Sequence, residues 1–308
     1  MLDPRGIYEV DEDAVARLLP ERADGPVGPV MLHAVRGFVD AGSAGELAVG
    51  HLLTELEVTR LVTFDVDQLL DYRSKRATMT FRSDRWVAYD RPVLAIDHLR
   101  DAEGTGFLLL HGAEPDLQWE RVVAAVRELV ERFGVSLTVG FHGIPMGVPH
   151  TRPSSVTAHA TRAELIEEHT SWFGTVEVPA SLSALLELRL GQAGHDAAGY
   201  TVHVPHYLAQ TAFPRAALVA LDHVQRLTGL ALATADLERS AQETLVEVER
   251  QVEESEEVAA VVHALEEQYD AFARSVGRTS LLAESAPIPT ADELGAEFER
   301  FLAQQSGE

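Results

Sequence analysis

The sequence predicts an α/β protein with a mixed, largely parallel sheet between helices and an added C-terminal helical hairpin. Three observations lead there. Short apolar, β-branched runs alternate with amphipathic helical stretches from residue 30 to residue 229. Glycine and proline punctuate the joins. From Asp236 the composition turns acidic and the apolar residues take up heptad-like spacing. A chain of 308 residues with 46% hydrophobic content can bury a large core. The expected division is an α/β core over 1–235, an acidic helical hairpin over 236–276, and a linker with a closing helix over 277–308 that packs on the core.

A short helix is expected from Asp13 to Leu19, ahead of Pro20. Val30 to Val35 is the first strand, followed by a glycine-rich turn, Gly37 to Gly45, and a helix from Ala44 to Glu57. Strand, turn and helix in this order put free N–H groups beside a strand end, where an anion can sit. The turn lacks both the Lys-Ser/Thr ending of a phosphate loop and dinucleotide-fingerprint spacing, so a plain connection is the favoured reading. Leu61 to Val66 makes a second strand, and Thr78–Phe81 with Trp86–Tyr89 a hairpin turning at Ser83-Asp84. Pro92–His98 and Gly106–His111 are two further strands. Asp116 to Phe133 is an amphipathic helix with Asp116 as N-cap and Gly134 as its stop.

Val135 to Phe141 reads as a buried strand that runs into a stiff loop, ending Gly140-Phe-His-Gly-Ile-Pro-Met-Gly-Val-Pro-His-Thr-Arg-Pro153. Ser155–Thr161, Gly174–Val178 and Tyr200–Val204 are strand-like; Ala163–His169, Pro179–Gln192 and Pro214–Thr228 are helical. Pro179 is placed in a first turn, and Gly229 stops the third helix. Beyond these, Leu237, Ala241, Leu245, Val248 and Val252 form one seam, and Val258, Val261, Leu265, Tyr269 and Phe272 a second. Ser255, followed by acids, is a fair N-cap between them, so two helices are preferred to one. Pro287 to Pro289 mark a linker, and Ala291 to Gln304 a closing helix.

Charge and composition exclude several functions. A formal charge of −24 argues against nucleic acid or an anionic membrane as partner. With no cysteine, disulfides, thiolate metal sites and thiol nucleophiles are ruled out. Neither a secretory signal nor a membrane-length apolar run is visible, which points to the cytoplasm.

Histidine carries the remaining chemistry. His142, His150, His159, His203 and His206 lie at or near strand ends, where imidazoles can act as bases or ligands. The helical His-Glu-x-x-His pattern is absent, and no metal or cofactor is expected. No Gly-x-Ser-x-Gly elbow occurs; Ser43 alone sits at a helix N-terminus, and no catalytic set can be named. The sheet's C-terminal edge should gather Asp40, Asp71, Arg73, Arg76, His142, His150 and Arg152, a set suited either to a small anionic ligand or to a structural ion network.

Four stretches in order resemble the bacterial branch of the proteasome assembly chaperone two family: Gly37-Phe-Val-Asp-Ala-Gly42, Asp71-Tyr-Arg73, Gly143-Ile-Pro-Met146 with Pro149-His-Thr-Arg-Pro153, and Tyr200 to Leu208. The acidic helical pair and the end near Phe301-Leu302 are similar as well. The resemblance implies a fold akin to purine nucleoside phosphorylases and peptidyl-tRNA hydrolases, a homo-oligomer (a trimer is the specific guess), and proteasome-related partners. It brings no agreed catalytic residues. The His-Thr-Arg-Pro loop belongs to the bacterial branch rather than to the chaperones proper. Two functions follow as expectations: a non-enzymatic assembly or interaction protein, or an enzyme or binder for a small anionic or nucleoside-like ligand.

Overall fold

The structure, a computed structural model, describes residues 2–19, 28–37, 39–167, 169 and 174–279. The expected linker and closing helix beyond 279 lie outside the described residues. In chain order the elements are β1 (Tyr8–Val10), α1 (Glu12–Leu18), β2 (Val30–Arg36), α2 (Ala44–Glu55), β3 (Val58–Phe64), β4 (Met79–Arg82), β5 (Arg85–Tyr89), β6 (Leu94–Arg100) and β7 (Gly106–Ala113). There follow α3 (Trp119–Phe133), β8 (Leu137–Met146), β9 (Val156–Ala160), α4 (Leu182–Gln192), β10 (Ala197–Pro205), α5 (Pro214–Thr228), α6 (Ala235–Glu253) and α7 (Glu256–Thr279).

Eight strands form one mixed sheet in the order β1-β3-β6-β7-β2-β8-β10-β9. Its centre, β7-β2-β8-β10, is parallel, and antiparallel strands extend it on both sides. Alternation along each strand feeds two cores. On one face Leu32, Phe107, Leu109, Val139, Phe141 and Val202 pack under α2 and α5, whose Ala44, Ala48, Ala216, Ala217 and Ala220 let the helices lie close to the sheet. On the other, Met31, Ile96, Leu108 and Leu110 pack under α1, α3 and α4. Each fully buried leucine among them stabilises the fold by about 1.5–3 kcal/mol.

The acidic segment is a helical pair that breaks at Glu254-Ser255, with the Ser255 hydroxyl accepting from the Val258 N–H at 3.3 Å. The first seam is core: Leu237, Ala241 and Val248 are buried, and Leu245 and Val252 pack on the α5 cluster. No residue of the second seam is fully buried: Leu265 and Tyr269 are half-buried, Val258, Val261 and Phe272 are exposed, and the buried side chain is Val262, one position past the expected Val261.

Several boundaries move for identifiable reasons. β8 does not end at Phe141 but continues to Met146, because Gly143 to Met146 pair with Val202 to Pro205 of β10. Past Gly140, β8 has no partner on its β2 side, so Pro145 is tolerated there. α3 starts at Trp119 behind a left-handed Gln118, and Asp116 is not its cap; that carboxylate accepts the Asp71 N–H at 2.7 Å instead. α4 starts at Leu182, capped by Ser181, so Pro179 precedes the helix rather than opening it. Gly174 to Val178 form no strand, since no strand among the described residues pairs with them.

Candidate functional site

β2 and β7 are adjacent and parallel, yet their chains leave in opposite directions: β2 leads to α2 on one face, β7 to α3 on the other. Diverging connections open a crevice at the strands' C-terminal ends, where open α/β sheets place their ligands. A groove of about 300 Å³ lies here, lined by Arg36, Asp40, Glu46, Arg60, Asp90, Arg91, His111 and His142 with apolar Val49, Leu53, Val93 and Phe141.

Asp40 shapes one end. Its Oδ1 accepts from the backbone N–H of Gly45 (2.9 Å) and of Gly143 (3.0 Å), and its Oδ2 from that of Glu46 (3.0 Å). The negative charge that the α2 N-terminus can hold is supplied by the chain itself, in line with a plain connection, and it ties the turn to β8. A Cβ at Gly143 would lie 2.1 Å from the Ala41 carbonyl oxygen, so this approach requires glycine. Ser43 is left-handed (φ 51°) without a side-chain capping bond, and no described histidine hydrogen-bonds to it. His142 sits on β8, and burial holds its pKa below the ordinary imidazole value against the pull of Asp40.

The other end is built around Asp97 of β6, 1% exposed. Its carboxylate accepts from Arg60 and, at 2.8 Å, from His111 Nε2. Burial alone would raise its pKa; the bonds from His111 and Arg60 outweigh that and hold it below the usual aspartate range. An ionised carboxylate thus fixes the imidazole's orientation and accepts the hydrogen bond from the proton carried on its Nε2.

The other residues expected at this edge stand elsewhere. Asp71, Arg73 and Arg76 form the loop at the base of the β4–β5 hairpin; the Asp71 carboxylate accepts the Arg73 N–H at 2.9 Å. His150 is buried against Tyr207, whose hydroxyl accepts its backbone N–H (2.9 Å) and lies 2.7 Å from Nδ1; burial lowers its pKa. Arg152 is clamped by α7: it donates to both Asp270 oxygens (2.9 and 2.8 Å) and to Glu266 (3.1 Å), and the Asp270 bonds raise its pKa. Of the seven residues, the groove brings together only Asp40 and His142. Of the other strand-end histidines, His159 donates to Glu187, and His203 bonds the hydroxyls of Ser155 and Thr157, tying edge strand β9 to β10. Among the described residues no cluster of three His, Asp or Glu side chains can hold a metal ion.

The PAC2 family model matches residues 34–252. A protein of unknown function from Mycobacterium tuberculosis is 47% identical, with a TM-score of 0.85 over 90% of this chain and 92% of that one. This chain belongs to the PAC2 family. A second protein of unknown function, from Corynebacterium glutamicum, is 37% identical (TM-score 0.80, covering 86% of this chain and 97% of that chain). A Mycobacterium tuberculosis proteasome-assembly chaperone homologue, 24% identical, shares the fold (TM-score 0.70, covering 76% of this chain and 99% of that chain). No curated protein matches.

The PAC2 match opens inside β2 and closes at the end of α6, so the groove lies within it and α7 beyond it. Arg36, Arg60, Arg91, Asp97 and His111 were missed by sequence reasoning. One signal was present: Asp97 interrupts the apolar run Leu94-Ala-Ile-Asp-His-Leu99, and a carboxylate inside a strand needs a partner. Which partner is a matter of sheet order, and sequence spacing does not carry it.

Proposed function

We propose that this protein works by protein–protein contact, as an assembly-chaperone-like interaction protein that is itself a homo-oligomer, with the β4–β5 hairpin as its contact arm. The observation that carries this reading is the hairpin's exposure. Every residue of both strands is exposed, including Met79, Phe81, Trp86, Val87 and Tyr89, with Trp86 at 62%. The hairpin pairs with no other strand among the described residues, and Phe81 and Trp86 meet edge to face at 5.1 Å. An isolated two-stranded hairpin is marginal in water, and clustered exposed apolar side chains mark contact surfaces.

Charge supports a second copy as the surface met. Residues 71–91 hold six basic and three acidic side chains, net +3, which leaves −27 on the rest of a chain whose total is −24. An arm reaching for a different surface on its neighbour closes either reciprocally, as a two-fold dimer, or head to tail, as a ring of which a trimer is the smallest. Family membership supports a proteasome-related partner, as the name of the mycobacterial chaperone homologue suggests. The division into a core, 1–235, and an acidic hairpin, 236–276, is part of the same proposal, as is a cytoplasmic location; no described helix is long and apolar enough to cross a membrane.

Light scattering after gel filtration tests the arm. Wild type should elute as an oligomer and the Phe81→Ser/Trp86→Ser variant as a folded monomer. A monomeric wild type, or an oligomeric double variant, overturns the reading. A low-salt pull-down from lysate should recover proteasome subunits with wild type; recovery of the protein alone removes the proteasome part.

A further inference from the structure

The groove between β2 and β7 has two kinds of wall. Val49 and Leu53 of α2, with Val93 and Phe141, form an apolar side; Arg36, Arg91 and His111 bring hydrogen-bond donors and acceptors to the same space. Most of its charged groups are already satisfied. Asp40 is taken up by three backbone N–H groups, Arg36 by Glu46 at 3.0 Å, and Arg60 by Asp97. Two groups are not. Arg91 makes no ion pair with any described residue, and His111, held through Nε2 by the buried Asp97, has no described partner for Nδ1. An oriented imidazole and an unpaired guanidinium, at a topological switch point and beside an apolar wall, form a small-molecule site in outline.

We infer that this groove binds a small organic anion. Its carboxylate or phosphate head meets Arg91 beside His111, and its apolar body lies along Val49, Leu53 and Phe141. A guanidinium offers paired donors to either head. About 300 Å³ admits a single-ring ligand and little more. Asp90 and Arg91 at the arm's base line the groove but Phe81 and Trp86 do not, so the Phe81→Ser/Trp86→Ser variant and Arg91→Ala test the two proposals apart.

Calorimetric titration of the full chain with benzoate and phenyl phosphate tests the inference, with benzamidine as a cation of the same body and inorganic phosphate as a head without one. Both aromatic anions should bind more tightly than inorganic phosphate, and benzamidine should not bind. Arg91→Ala should weaken the anions about ten- to a hundredfold, the loss of one charge-assisted contact, while Arg73→Ala, outside the groove, should leave them unchanged. The His111 imidazole ¹⁵N signals should move on adding benzoate, a response that a purely structural histidine would not give. Equal binding of benzamidine, no binding of either aromatic anion, or undiminished binding by Arg91→Ala would each overturn it.

Discussion

The β4–β5 hairpin and the α6–α7 hairpin are both appended to the sheet, yet one keeps its apolar side chains in solvent while the other lays its first helix into the core. Met79, Phe81, Trp86, Val87 and Tyr89 stand exposed; Leu237, Ala241 and Val248 are covered by α5 and the sheet. Their charges differ in the same sense. The arm is net positive, whereas Ala235 to Arg274 carry twelve acidic and three basic side chains. An apolar pattern states a demand for burial without saying who meets it. For α6 the partner is in the same chain. For β4–β5 no described element covers it, which is why the arm is the part of the protein proposed to act between molecules.

Deleting one large apolar side chain from each hairpin gives the largest expected contrast. Leu237→Ala should cost about 2–5 kcal/mol of global stability. Trp86→Ala, measured in urea at low protein concentration, should change it by no more than about 0.5 kcal/mol and act on assembly instead. Comparable losses would mean that the arm folds back onto its own body.

Acid should separate the core from the clamp that holds α7. His33 is buried with Nε2 unpartnered, and burial pushes its pKa down to about 4 from the ordinary 6.5. Between those values the unfolded chain binds a proton that the folded chain refuses. Stability is therefore full above pH 6.5 and is lost as pH falls toward 4, by about 3 kcal/mol for this residue. Burial lowers the pKa of His98, His142, His150, His203 and His223 in the same direction. Asp270, by contrast, is held below its ordinary value by the bonds from Arg152, so acid acts on the buried histidines of the core before it acts on this carboxylate. Urea titrations from pH 7 to pH 4 should show stability falling below pH 6.5, and His33→Gln should flatten that slope; a wild type of constant stability over the range would contradict it.

The smallest effect belongs to Arg152. α7 is held to the core by Arg152 with Glu266 and Asp270, and by the Tyr269 hydroxyl on the Pro153 carbonyl at 3.2 Å. Arg152→Ala should raise amide exchange across 256–274 while leaving exchange in α6 and the melting temperature nearly unchanged. Faster exchange in both helices would show that the pair detaches as a unit and that the apolar seam of α6 is weaker than its burial implies.

Much of this contrast was legible in the residues. The seam from Leu237 to Val252, the break at Ser255 and the turn at Ser83-Asp84 follow from periodicity, capping and turn chemistry, which act over a few residues. The candidate site was less so. Asp40 and His142 were named, but His150 and Arg152 proved to be held by Tyr207 and α7, and Asp71, Arg73 and Arg76 stay at the base of the arm. The reach of β8 to Met146 was hidden as well, because the glycines and prolines of a strand paired on one side read as a loop.

The sequence by itself determined the α/β class, the family, the acidic helical pair and the apolar demand of every element, since each is written in local spacing or ordered motifs. Only the tertiary structure decided that Arg60 and His111 meet on Asp97, that Asp40 fills its own helix N-terminus, and that the β4–β5 hairpin goes uncovered among the described residues. The reason is physical. Those contacts depend on strand order and on which face each crossover takes, and residues far apart in the chain settle both together.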